Sequence, residues 1–268
     1  MDRIERKLNK LRKILKSMGS AVVACSGGAD SAFLLKIARD ELGKRVISAT
    51  AFCEVYIKDD YKLTKKLAGK LKVRQIDFKI NLLKIRDFFN NSLNRCYFCK
   101  KEMFKELKKI ARREGMDYVL DGTNQDDILE FRPGRRALKE LDVRSPLVEA
   151  GLNKKNIRSL SHEMGLLTWN KASSTCLATR IPHGERVSLK KLRMIEKGER
   201  FIKNLDISDF RLRHQQGDIA RIEVNQSDGR RLVKPKLRSG IEKGLKKIGY
   251  LAVFFEDKKR ILRKIQKS

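Results

Sequence analysis

Residues 20–35, Ser-Ala-Val-Val-Ala-Cys-Ser-Gly-Gly-Ala-Asp-Ser-Ala-Phe-Leu-Leu, lead from small apolar residues through a glycine pair into a helical pattern. A short apolar run that ends in glycines reads as a buried strand, so the stretch predicts strand, tight turn, helix. Ser26, Gly27, Gly28, Asp30 and Ser31 spell S-G-G-x-D-S across that turn. Glycines without Cβ atoms let backbone N–H groups approach phosphate oxygens, and the following helix N-terminus adds partial positive charge. No Lys follows the glycines, so this is not the G-x-x-x-x-G-K-[ST] loop that holds a γ-phosphate for transfer. The plainer alternative is a structural corner with no ligand.

Outward from this corner the chain alternates. Strands are predicted near 45–52, 73–80 and 118–120, and helices near 29–42, 57–71 and 97–114. Apolar strands interleaved with helices give an α/β fold, a doubly wound parallel sheet that binds ligands beyond the carboxyl ends of its strands. Asp121-Gly122-Thr123-Asn124 lies at such an end, which makes Gly122 and Asn124 candidate nucleotide contacts; a simple turn is the alternative. Val143–Leu147 reads as a short last strand. Ile4, Leu8, Leu11 and Leu15 recur at helical spacing over residues 2–17; this basic amphipathic helix suits packing on the sheet, with a membrane-surface role as the alternative.

Beyond Gly151 the texture changes. A helix at 153–164 precedes the polar loop 169–182, and the remainder reads as helix, two strands, helix and strand, a smaller α+β unit. The expected organisation is a nucleotide domain over 1–150, a linker with a cysteine loop over 151–185, and an α+β domain over 186–268. Arg211 and Arg213 alternate along a strand and so share a face. Two guanidiniums placed this way suit a phosphate clamp, with a solvated strand face as the alternative.

The 268 residues carry a formal charge of +30, with 63 Lys and Arg against 33 Asp and Glu. Such a field favours polyanions. The charges are spread along the chain and aromatics make up only 7%, so a nucleic-acid partner is not expected. The N-terminus lacks the apolar core of a signal peptide, and no apolar run approaches the roughly 18 residues of a membrane span. A soluble, cytoplasmic protein without membrane attachment is expected.

Five cysteines in such a compartment suit metal or redox chemistry better than disulfides. Cys25 and Cys53 lie in or beside strands and read as packing residues. Cys96 and Cys99 form C-x-x-C at a helix start beside Arg95, where the helix dipole favours thiolate. Two ligands do not close a site: zinc wants four, whereas a [4Fe–4S] cluster can be held by three. Cys176, in a Ser/Thr-rich loop near Lys171 and Arg180, is the candidate third ligand, and the setting also suits a reactive thiolate.

The S-G-G-x-D-S corner resembles the PP-loop of the ATP pyrophosphatases. D-G-T-N at 121–124 with Asp126 and Asp127, R-P-G at 132–134, the Cys176 loop ending in Arg180, R-L-R-H at 211–214 and G-D-I-A-R-I-E-V at 217–224 together resemble the LarE family of ATP-dependent sacrificial sulfur transferases. The likeness covers nearly the whole chain. It implies a PP-loop domain of the adenine nucleotide alpha hydrolase-like type, and ATP with Mg²⁺ adenylating a carboxylate of a pyridinium dicarboxylate mononucleotide. Sulfur then displaces AMP, leaving a thiocarboxylate for nickel-pincer nucleotide synthesis. Asp30 is implied as the Mg²⁺ ligand. Arg180, Arg211 and Arg213 are implied as substrate contacts, with Glu199 and Glu223 orienting Arg211 and Arg213. Sulfur is implied to come from Cys176 itself, which becomes dehydroalanine, or through a [4Fe–4S] cluster on Cys96, Cys99 and Cys176; the extra C-x-x-C points to the cluster-bearing branch. A homo-oligomer and a separate sulfur donor are also implied. The rival readings are a PP-loop tRNA thiolation enzyme and a non-catalytic nucleotide- or RNA-binding protein.

Overall fold

In the computed structural model of the protein, which describes residues 2–129, 132–172, 175–207, 210–224 and 234–257, the opening stretch forms β1 (Ala21–Ala24) and α2 (Ala29–Leu42). β1 is an inner strand of a four-stranded sheet of order β3-β2-β1-β4, with β2 at Val46–Phe52, β3 at Arg74–Lys79 and β4 at Tyr118–Leu120. Every pairing is parallel, with Ala21 opposite both Val46 and Tyr118. Side chains alternate across the sheet. Ala21, Val23, Val46 and Leu120 therefore join one core with α1 (Arg3–Ser17), α2 and α8 (Lys154–Glu163). Val22, Ile47, Ala49 and Val119 join another with Phe104, Leu107 and Ile110 of α5 (Arg95–Arg113). Both faces are covered, as the continuous apolar strands require.

The amphipathic helix predicted at the N-terminus is α1, and it packs on α2. Glu5 accepts the Asp2 N–H at 3.2 Å and closes the first turn. Leu11 and Leu15 are wholly buried, each contributing about 1.5–3 kcal/mol of transfer free energy. No helix among the described residues is long and apolar enough to cross a membrane.

The strand expected at 143–147 does not form. Only Arg144 bridges to Leu120, and Pro146 opens α7 (Pro146–Glu149). Proline has no N–H for a ladder but fits the first turn of a helix.

The chain divides into two compact units, Met1–Ile85 with Asn94–Ser174, and Arg86–Leu93 with Thr175–Ser268. Residues 151–172 thus fold with the first unit, where Ile157 and Leu160 of α8 lie in its core. Residues 86–93 fold with the second. There the buried Asn91 donates to the carbonyls of Ile181 and Pro182 at 3.2 and 2.6 Å and accepts from the Gly184 N–H. Its core sheet has order β5-β6-β7, with β5 at Phe210–Gln215 antiparallel and β7 at Ala252–Asp257 parallel to β6 at Ile219–Val224. α9 (Leu189–Lys203) and α10 (Pro235–Ile248) cover it through Met194, Ile202, Ile241 and Leu245, which meet Leu212, Ala220 and Ile222.

Candidate active site

The S-G-G-x-D-S corner connects β1 to α2 and is braced by its own serines. Ser31 Oγ donates to the Gly28 carbonyl at 3.2 Å and accepts the Ser26 N–H at 3.3 Å, and the hydroxyls of Ser26 and Ser31 lie 3.2 Å apart. Gly27 has φ +76°, and a Cβ there would lie 2.6 Å from the Asp60 carbonyl oxygen. Both the left-handed backbone and the close approach require glycine. α2 starts after Gly28 with no side-chain cap, which leaves its first-turn N–H groups to an anion.

The Asp121–Asn124 segment comes up against the same helix start. A Cβ on Gly122 would lie 3.0 Å from Ser31 N, so this glycine allows the two segments to touch. The buried Asp121 holds the turn, accepting from Thr123 N at 3.2 Å, Thr123 Oγ1 at 2.6 Å, Ser145 Oγ at 2.6 Å and Lys100 Nζ at 3.2 Å. Asn124 donates through Nδ2 to Asp30 Oδ2 at 3.1 Å, while its own oxygen accepts the N–H groups of Asp126 and Asp127. Of the residues expected at this site, Ser26, Gly27, Gly28, Asp30, Ser31, Gly122 and Asn124 are thus gathered at one corner of the first unit.

That corner opens into a cavity of about 390 Å³. Its lining combines apolar side chains, Tyr56, Phe78, Met103, Phe104 and Leu107, with the loop, carboxylates and cations. Arg132 and Lys154 each lie 3.0 Å from Asp127, and Lys171 donates to Asp60 at 2.6 Å and to the Gly27 carbonyl at 2.8 Å. Burial, and then the neighbouring Asp127 charge, push the Asp30 carboxyl above its ordinary range, opposed by the Asn124 hydrogen bond and by Lys154 and Arg158. A carboxylate that resists ionisation beside a phosphate loop is suited to a divalent cation, which relieves both penalties. Sequence reasoning missed Lys100, Lys154, Arg158 and Lys171, because they come from three separate segments. The one available signal was that the loop has no cation of its own.

In the second unit Cys176 is half-buried and precedes a 3-10 turn, Leu177–Arg180. Its carbonyl accepts from Thr179 N at 3.0 Å and Thr179 Oγ1 at 2.7 Å. Arg180 is buried; Nε donates to Glu199 at 2.8 Å, and Nη1 donates to the Thr175 carbonyl and hydroxyl and to Thr179 Oγ1. Arg213 donates to Glu223 at 2.9 Å and to the Thr179 carbonyl at 2.7 Å. Arg211 and Arg213 do share the half-exposed face of β5, as read from the alternation. Glu199 orients Arg180, not that pair as expected, and Glu223 is shared by Arg213 and Arg221. Arg180 and Arg213 both grip the turn that carries the thiol.

Cys25 and Cys53 are buried, and burial pushes the Cys25 thiol up. Cys96 lies on the first turn of α5 and Cys99 at the start of the second, one exposed and one half-buried. Among the described residues no three His, Cys, Asp or Glu side chains are gathered to hold a metal ion. The pair supplies two thiols in the first unit, and neither unit by itself assembles the three-thiol set a cluster needs.

A pyridinium-3,5-bisthiocarboxylic acid mononucleotide synthase of Lactiplantibacillus plantarum is 32% identical over 214 residues, 80% of this chain and 77% of that protein. The chain belongs to the LarE family of sulfur transferases. Uncharacterized proteins of Synechocystis sp. and Methanocaldococcus jannaschii are also 32% identical, the first over 93% of both chains and the second over 82% of this chain and 84% of its own. No protein-family model matches. For a LarE-family chain, the sheet, the glycine corner and the separate small mixed sheet are the fold that the sequence implied.

Proposed function

We propose that the protein uses ATP to adenylate a carboxylate of a pyridinium-3,5-dicarboxylate mononucleotide and replaces the activated oxygen with sulfur, giving a thiocarboxylate for nickel-pincer nucleotide synthesis. The observation that carries this reading is the cavity of the first unit, lined both by the glycine corner, suited to phosphates, and by aromatic and aliphatic side chains suited to a nucleoside base. It is joined in one chain to the half-exposed thiol of Cys176.

A carboxylate is a poor electrophile until one oxygen becomes part of a leaving group. In the proposed step a substrate carboxylate oxygen bonds to the α-phosphorus of ATP, and the bond from that phosphorus to the bridging oxygen breaks. The electron pair leaves on pyrophosphate. The N–H groups of the corner, with Ser26 and Ser31, hold the phosphates. Asp30 would hold Mg²⁺, with Asp127 beside it; when bound, the ion offsets phosphate charge. The Cys176 thiolate then attacks the acyl carbon and AMP departs. If the cysteine is consumed, loss of its Cα proton and cleavage of its Cβ–S bond leave dehydroalanine and free the thiocarboxylate. Arg211 and Arg213 are assigned to the substrate phosphate, with Arg180, Glu199 and Glu223 fixing the thiol turn. A [4Fe–4S] cluster on Cys96, Cys99 and Cys176 is the other sulfur source, tested below.

Anaerobic protein incubated with ATP, Mg²⁺ and the pyridinium mononucleotide is expected to release AMP and pyrophosphate only when the mononucleotide is present. Stimulation by bulk tRNA at moderate salt instead would favour the thiolation reading, and ATP bound without turnover would favour a nucleotide sensor. Intact mass decides the sulfur source: loss of the elements of hydrogen sulfide per turnover identifies Cys176 as donor. Iron-dependent absorbance near 400 nm (roughly the region of iron–thiolate sites) that disappears in Cys96→Ala identifies the cluster.

Asp30→Asn is expected to lower metal-dependent pyrophosphate release by about 100-fold or more, the scale of several kcal/mol of charge stabilisation. The same substitution should stabilise the ligand-free protein at neutral pH. Because the folded-state pKa of Asp30 is raised, wild-type stability is lost as pH rises from the unfolded carboxyl value through the folded one. Melting curves between pH 4 and 8 should therefore separate the two proteins increasingly toward high pH; parallel curves would contradict the assignment.

A further inference from the structure

The glycine corner carries no Lys or Arg between Cys25 and Ser31, yet a leaving pyrophosphate needs its growing charge offset. A lysine reaches the loop from 144 residues further along the chain: Lys171 Nζ donates to the Gly27 carbonyl at 2.8 Å and to Asp60 Oδ1 at 2.6 Å. Its backbone is fixed as well, since its N–H bonds the Thr168 carbonyl and its own carbonyl accepts from Arg158 at 2.9 Å. Of the other cavity cations, Lys100 pairs with Asp121, Arg132 and Lys154 pair with Asp127, and Arg158 donates to the Lys171 carbonyl. Lys171 thus brings its ammonium onto the loop backbone.

We propose that Lys171 is the pyrophosphate-binding cation of this site, supplied from outside the loop and held in readiness by Asp60. This rests on the reading of the cavity as an adenylation site. When the α-phosphorus bond to the bridging oxygen breaks, the electron pair passes to pyrophosphate without any proton transfer. The lysine then exchanges its single carboxylate partner for the more highly charged phosphate oxygens. Asp60 competes with the anion for the same ammonium, so it weakens pyrophosphate binding in the resting protein. Lys171 also precedes Cys176 by five residues, so the segment leading to the thiol carries the group that senses phosphate.

The probe is inorganic pyrophosphate with Mg²⁺, titrated calorimetrically into the full chain. Lys171→Gln is expected to weaken binding about 10-fold or more, the loss expected of one charged hydrogen-bond donor, and Lys171→Arg to keep it within about threefold, since charge is retained while geometry differs. Asp60→Asn should tighten binding, and that gain should vanish in the Asp60→Asn, Lys171→Gln double variant. Lys171→Gln binding within about twofold of wild type, or a gain from Asp60→Asn that survives without the lysine, overturns the proposal. Should Lys171→Gln fail to fold, weaker binding by Asp60→Asn overturns it equally. Failure of the wild-type protein itself to bind pyrophosphate would overturn the adenylation reading and this assignment with it, whereas a wild type that binds beside an unaffected Lys171→Gln removes only the lysine.

Discussion

Cys176→Ala is expected to go on releasing pyrophosphate from ATP while forming no thiocarboxylate, a fall in product of about 1000-fold or more, as loss of a nucleophile causes in other enzymes. The two half-reactions draw on different parts of the chain. On the proposed mechanism, activation would belong to the corner at 26–31 and its partners in the first unit, and transfer to the thiol turn in the second. Transfer needs a thiol that can ionise and reach a bulky acyl adenylate. Cys176 offers an accessible thiol, half-buried on a turn whose backbone is tied by Thr179. Cys25 does not, since burial pushes its thiol up and keeps it protonated. The check is a paired assay of pyrophosphate and thiocarboxylate on the same samples. Product at the wild-type rate would remove Cys176 from the reaction, whereas loss of both products together would mean that the thiol turn also shapes the nucleotide site.

Local chemistry was legible in the sequence wherever one segment carried it whole. Residues 20–35 alone place β1, the corner and α2, because a buried strand, two glycines and an apolar helix repeat have separate signatures. The strands of the smaller unit could be read for the same reason, with Phe210, Leu212 and His214 alternating inward against Arg211 and Arg213. What was not legible arises where segments meet. Residues 143–147 look β-forming, but Pro146 turns them into a helix start. The helix at 154–163 reads as the beginning of a linker, although Ile157 and Leu160 belong to the first core. Arg180 and Glu199 were both expected near substrate, and no sequence pattern reveals that they pair with each other. Side-chain charge is visible in a sequence; the partner that uses it is not.

That pairing leads to a large structural effect. Arg180 and Glu199 have side chains only 6% and 8% exposed, and Arg180→Ala would leave the Glu199 carboxylate buried without its counter-charge. Breaking a buried pair on one side costs about 3–5 kcal/mol, so urea unfolding should show a loss of that size. The turn itself also loosens, since the Thr175 carbonyl, Thr175 Oγ1 and Thr179 Oγ1 lose their shared donor. Replacing both partners with apolar residues of similar volume, Arg180→Met with Glu199→Leu, should recover most of the stability, because no unpaired charge then remains. It should not recover sulfur transfer. Nothing in the double variant replaces the guanidinium that ties Thr175 to Thr179 across Cys176, so the thiol stays on a loosened turn. A double variant that regains both stability and transfer would show that Arg180 serves the fold alone; one that regains stability while transfer stays low would establish that the buried pair exists to position the cysteine.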